Sequence, residues 1–150
     1  MIDTLIFPHP GTLLPHGKPI LQIDAITSYV PGNYLIAEKQ IDGDNPFLEG
    51  HFPGYPLMPG VILIEMMFQA CGLYGRMEER QFAAPGKEPV KKMGKAIKID
   101  EAIFKMEVKP PSALTIKVVF VHKLLSFSIF KATIHSGEKL AASASITVHL

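Results

Sequence analysis

At 150 residues the chain has the length of one domain and enough material to bury a substantial core. A formal net charge of +1 supplies no basic stripe, which disfavours nucleic acid as a partner, and a single cysteine excludes an intrachain disulfide framework and fits a reducing compartment. The 47% hydrophobic content and mean hydropathy of +0.21 point to a deeply enclosed helix or a subunit interface.

The start lacks the basic segment of a secretory leader, and Pro8, Pro10 and Pro15 interrupt any apolar run there. Residues 1–18 therefore read as an irregular lead-in. Residues 20–30 are strand-like, Pro31-Gly32-Asn33 signals a turn, and residues 34–41 read as a second strand, together a hairpin. Asp42-Gly43-Asp44-Asn45-Pro46 breaks that pattern and opens a loop with one histidine among prolines and glycines, Gly50-His51-Phe52-Pro53-Gly54-Tyr55-Pro56-Leu57-Met58-Pro59-Gly60.

From about Pro59 the reading changes to helix, since proline is tolerated in a first helical turn. Residues 61–74 are apolar nearly all round, interrupted by Glu65, Gln69 and Gly72, which predicts a helix enclosed by other elements and too short to span a bilayer. Residues 76–80 are more polar and are expected to emerge into solvent, followed by a loop at 85–89. Residues 95–105, 114–122, 127–134 and 142–148 read as strands, the last two joined by a turn at 136–139. Strands joined by short turns make an antiparallel sheet. The fold class is α+β, with that sheet wrapped around one long central helix. No repeat or linker divides residues 1–150, which read as one soluble, cytoplasmic domain.

Glu65 follows four apolar residues, so a helix buried all round buries it too. Burial favours the neutral acid, and a carboxyl kept protonated can give its proton to a leaving group. A carboxyl satisfied by a partner at a subunit interface competes with that reading on equal terms. Gln69, four residues on, shares the helix face of Glu65 and is placed to hold it. His51 sits in a stiff loop, where imidazole serves as a base. The bland reading, an ordinary loop histidine, is the one taken for His9, His122, His135 and His149; His16 in Leu14-Pro15-His16 is the exception to watch. Gly60 supplies a backbone N–H at a helix start, suited to charge developing on an oxygen.

The run His51-Phe52-Pro53-Gly54-x-Pro56-x-Met58-Pro59-Gly60-Val61, then Glu65 and Gln69, resembles the active-site signature of the 3-hydroxyacyl-acyl-carrier-protein dehydratases, in the FabZ type that carries glutamate. Leu13-Leu14-Pro15-His16-x-x-Pro19 with Ile23-Asp24, Asn45-Pro46-Phe47-x-x-Gly50 and Ile99-Asp100-x-Ala102-x-Phe104-Lys105 extend the likeness over most of the chain. The resemblance implies a hot-dog fold and a homodimer, with trimers of dimers also known in the family. It further implies an acyl chain delivered on acyl carrier protein, and no metal or redox cofactor. By that resemblance His51 of one subunit removes the α-proton and Glu65 of the other protonates the departing hydroxyl. Gly60 N–H polarises the thioester carbonyl, and the carbonyl of Leu57 orients His51.

The chain departs from the family where Ile103 replaces a usual arginine, at Pro110-Pro111-Ser112, and at Gly17-Lys18. None of these touches the acid/base pair. Met58, Met66 and Phe68 are candidates to line an acyl tunnel, against a simpler reading as core. Lys91, Lys92 and Lys95 are candidates to dock an acidic carrier protein, against a reading as a solvated strand edge. A hot-dog thioesterase using Glu65 to activate water, and a non-catalytic acyl-binding subunit, are the competing functions.

Overall fold

The computed structural model describes residues 6–87 and 94–150. In chain order its elements are α1 (Pro10–Leu13), β1 (Ala25–Val30), β2 (Tyr34–Ile41), α2 (Pro46–Glu49), α3 (Gly60–Phe82), β3 (Lys95–Phe104), β4 (Ser112–Leu124), β5 (Phe127–Ser136) and β6 (Lys139–His149). The six strands form one antiparallel sheet in the order β1-β2-β4-β5-β6-β3.

Alternation of side chains builds the sheet's inner face. Leu35 and Ala37 of β2, Leu114, Ile116 and Val118 of β4, Phe130, Ala132 and Ile134 of β5, and Ala142, Ala144, Ile146 and Val148 of β6 are all buried. Against them lies α3, whose Ile62, Leu63, Met66, Met67, Ala70, Cys71, Leu73 and Tyr74 are buried as well. A Leu or Met side chain enclosed this way contributes roughly 1.5–3 kcal/mol by leaving water, so the helix is held chiefly by its packing. The Tyr74 ring lies 5.2 Å from Phe130 and 5.7 Å from Phe120, and burial pushes the Cys71 thiol up from its ordinary value. No helix among the described residues is long and apolar enough to cross a membrane.

Three expectations change. The first strand begins at Ala25 rather than at residue 20, because the Gln22 N–H is taken by the Gln69 side chain instead of a neighbouring strand. The lead-in is not wholly irregular: His9 Nδ1 accepts from Gly11 N–H and caps α1, which seats Leu13 and Leu14 in the core. Arg76, expected in solvent, is 3% exposed.

Strand β3 stands apart. Among the described residues it pairs on one side only, with β6, and all ten of its residues are exposed. Ile97, Ile99, Ile103 and Phe104 are each 42–50% exposed, an apolar edge of the kind single chains usually cover. A bulge between Asp100 and Ile103, with Glu101 at φ 53°, bends the strand where it approaches the start of α3.

Candidate active site

The histidine is built by short-range structure. Proline fixes φ, so Pro53, Pro56 and Pro59 stiffen the chain between α2 and α3. His51 Nδ1 lies 2.8 Å from the Leu57 carbonyl oxygen. A carbonyl only accepts, so the ring proton sits on Nδ1 and Nε2 presents its lone pair. The imidazole stacks on Phe52 with centroids 4.1 Å apart. Two contacts tie the loop to the β3–β4 connection: Met58 N–H donates to Val108 O at 2.9 Å, and the Tyr55 hydroxyl donates to Glu107 Oε2 at 2.6 Å. That hydroxyl, with Lys109 beside it, holds the Glu107 carboxyl below the usual carboxylate range.

Pro59 caps α3 without a side-chain bond, and Gly60 N–H has no backbone partner among the described residues. A Cβ at Gly60 would stand 2.9 Å from Phe104 Cζ, so glycine is what allows this aromatic approach to the helix start. His51, Leu57, Met58, Gly60, Phe104 and Val108 face a cavity of about 540 Å³.

Glu65 opens elsewhere. Five positions along a helix turn it about 140° away from Gly60, and it faces a separate cavity of about 150 Å³ with His16, Phe68, Gly72, Arg76 and Lys95. No residue lines both spaces. Contrary to expectation the Glu65 side chain is 28% exposed rather than enclosed, because the sheet covers only the opposite side of α3. Its Oε1 accepts from Gln69 Nε2 at 3.0 Å and lies 3.5 Å from His16 Nε2.

A chain of contacts fixes this acid. Gln69 Oε1 accepts the Gln22 N–H at 2.8 Å, which forces the Gln69 amide nitrogen toward Glu65 and the Ile20 carbonyl. Gln22 in turn donates to Pro19 O at 2.6 Å and accepts from Asn45 at 3.4 Å. Leu14 packs against Gly72, where a Cβ would meet Leu14 Cδ2 at 3.1 Å, and this contact seats Pro15-His16 above Glu65.

The sequence-derived residues thus divide between two places. Met58, 2% exposed, lines the His51 cavity, and Phe68 lines the Glu65 cavity. Met66 lines neither; at 0% exposure it belongs to the core, on the side of α3 that meets the sheet. Lys95 is exposed at the Glu65 cavity, while Lys91 and Lys92 lie outside the described residues. Gln22, Asn45, Tyr55, Glu107 and Arg76 went unnoticed as site residues. Only Arg76 had a local signal: eleven positions after Glu65, it shares that residue's helical face. Among the described residues no three His, Cys, Asp or Glu side chains gather as a metal site.

Comparison with known proteins bears on the same residues. A family model described as FabA-like domain matches residues 14–145. The chain is 34% identical to the 3-hydroxyacyl-[acyl-carrier-protein] dehydratase FabZ of Blochmanniella floridana over 89% of its length and 85% of that protein's. It is 36% identical to the FabZ of Rhizorhabdus wittichii over 89% of its length and 82% of that protein's. Among solved structures, the ApeI:P dehydratase heterocomplex of Xenorhabdus doucetiae includes a chain that superposes with a TM-score of 0.77 at 19% identity. That superposition covers 95% of this chain and 91% of the other, a likeness that speaks to the hot-dog fold alone.

Proposed function

This chain belongs to the FabA-like family as a FabZ-type dehydratase, a hydro-lyase, and we propose that its two half-sites act together across a homodimer on a 3-hydroxyacyl group carried by acyl carrier protein. The reaction serves fatty-acid biosynthesis and yields the trans-2-enoyl thioester. His51 Nε2 takes a proton from C2, the electron pair forms the C2–C3 double bond, and the hydroxyl leaves C3 as water after taking a proton from Glu65. Gly60 N–H receives the thioester oxygen as negative charge builds on it. Gln69 holds Glu65, and Leu57 holds the His51 tautomer.

One observation carries the dimer. The base and the acid face separate cavities in a single chain, so neither cavity alone holds both halves of the chemistry. The apolar free edge of β3 is a surface suited to continue the sheet into a second copy. An isologous contact there would set each His51 against the partner's acid.

Mixing two dead variants tests this. His51→Ala and Glu65→Gln each lack turnover alone; refolded together at equal amounts, random pairing restores about a quarter of wild-type activity, because half the dimers carry one intact site. A mixture as silent as its components, from chains that still dimerise, sinks the shared site.

A further inference from the structure

Gln22 is 2% exposed and Gln69 1%, and each buried amide has a partner at both its oxygen and its nitrogen. The Gln69 amide has no freedom to turn over. Its oxygen takes the Gln22 N–H at 2.8 Å and its nitrogen donates to the Ile20 carbonyl at 2.7 Å. A flip would set N–H against N–H and oxygen against oxygen. The second proton of that nitrogen is left for Glu65 Oε1, 3.0 Å away. Backbone groups of residues 20 and 22 thus decide that the acid meets a donor.

A second donor converges on the same oxygen. His16 Nε2 stands 3.5 Å from Glu65 Oε1, and His16 Nδ1 is buried with no hydrogen-bond partner. A buried N–H without an acceptor is the costlier arrangement, so the neutral ring carries its proton on Nε2, toward Glu65. Glu65 Oε2 takes no partner among the described residues. In a protonated carboxyl the oxygen without the proton is the better acceptor. Two donors on Oε1 therefore leave the acid's proton on Oε2, the oxygen open to a substrate.

Gln22 keeps this arrangement in register. Its side chain donates to Pro19 O at 2.6 Å and accepts from Asn45 Nδ2 at 3.4 Å, which pins the segment that presents Ile20 O and Gln22 N–H to Gln69. Asn45 is itself fixed, since its Oδ1 caps α2 by accepting the Phe47 N–H at 3.0 Å.

We infer that Gln22 is a positioning residue for the acid: by locking the Gln69 amide it holds Glu65 Oε1 as an acceptor, so the departing hydroxyl draws its proton from Oε2. The inference rests on the dehydratase reading, in which Glu65 is the acid.

Gln22→Met tests it, for methionine has a similar volume, keeps the backbone N–H and removes both side-chain bonds. With KM little changed, kcat should fall about tenfold, inside the roughly hundredfold or greater factor that a general acid contributes. Gln69→Leu should lower kcat too, and adding Gln22→Met to it should lower kcat no further, because Gln22 acts through Gln69. An unchanged kcat in Gln22→Met, or a further drop of about tenfold in the double variant, overturns the inference and leaves the dehydratase reading standing. Should Gln22→Met fail to fold, Asn45→Asp decides by the same readouts, since it keeps the α2 cap and removes the donor to Gln22. Glu65→Gln run alongside tests the reading itself: full turnover there ends both. Should wild type give no enoyl product, the reading falls, and exchange of the Gln69 side-chain amide protons, followed by NMR, decides the rest. Exchange that is slow in wild type and faster in the variant retains the lock on Gln69, and equal rates end it as well.

Discussion

The two proposed half-sites of this chain are built in opposite ways. The histidine side is local: His51 is held by Leu57 six residues on, and Gly60 follows in the same stretch. The glutamate side is assembled from a distance: Gln22 reaches Gln69 across 47 positions, and Leu14 comes from the lead-in to pack on Gly72. A stiff loop can specify its own geometry, because proline and glycine restrict the backbone before any tertiary contact forms. A helix face specifies only which side chains share a direction. What those side chains meet depends on the elements that fold back onto them.

The sharpest way to break the comparison is to keep both half-sites and separate them. Replacing Ile99 and Ile103 together by glutamate places charge on the exposed edge of β3, so the protein should run as a monomer in size-exclusion chromatography. On the proposed shared site, turnover should drop by about a thousandfold or more, since separating the chains would part base from acid. Full activity in a monomer would refute the split site.

Gly60→Ala acts on the histidine side alone. The added Cβ would lie 2.9 Å from Phe104 Cζ, so the ring or the helix start must move. If Gly60 N–H receives the thioester oxygen as proposed, its displacement should cost about a hundredfold in kcat. Adding Phe104→Ala should recover part of that loss, and kinetics on both variants would show whether the ring is the cause.

Gln69→Leu acts on the glutamate side alone. It leaves the Gln22 N–H, on a residue 2% exposed, without its acceptor, at a cost of about 1–3 kcal/mol in urea unfolding. It also releases Glu65, so kcat should fall while the dimer persists. An unchanged kcat would mean that His16 suffices to place the acid.

The smallest effect belongs to Tyr55→Phe, which removes one exposed tie of the histidine loop. At neutral pH a change in KM of about twofold is expected, as for other exposed contacts of a charged group. The sign with pH follows from the lowered Glu107 carboxyl: the tie is present above the ordinary carboxylate value and is lost as pH falls through the depressed one. Wild type and variant should therefore converge in strongly acidic solution, which KM measured across pH would show.

Much of the fold was legible because burial and period coincide. The strand at Tyr34–Ile41 follows from alternation, since Leu35, Ala37 and Ile41 face inward, and the long helix follows from the apolar run after Pro59. The start of β1 was not legible. Residues 20–24 look like strand by composition, and only the distant Gln69 diverts the Gln22 amide from a ladder. Arg76 misled for a related reason: arginine signals solvent in a local window, whereas Leu150 and the strand end at Val148 fold over it to enclose a cavity.

By itself the sequence determined the order of the chemical groups: a histidine in a stiffened loop, a backbone amide at a helix start, then an acid within an apolar helix. These depend on backbone restriction and on spacing along one segment. Tertiary structure alone decided that Gly60 and Glu65 open onto different cavities, that Gln22 and His16 attend the acid, and that Arg76 is buried beside Glu79. Each of those rests on which residue, remote in the chain, comes to occupy the neighbouring space. A local pattern of residue types carries no record of that.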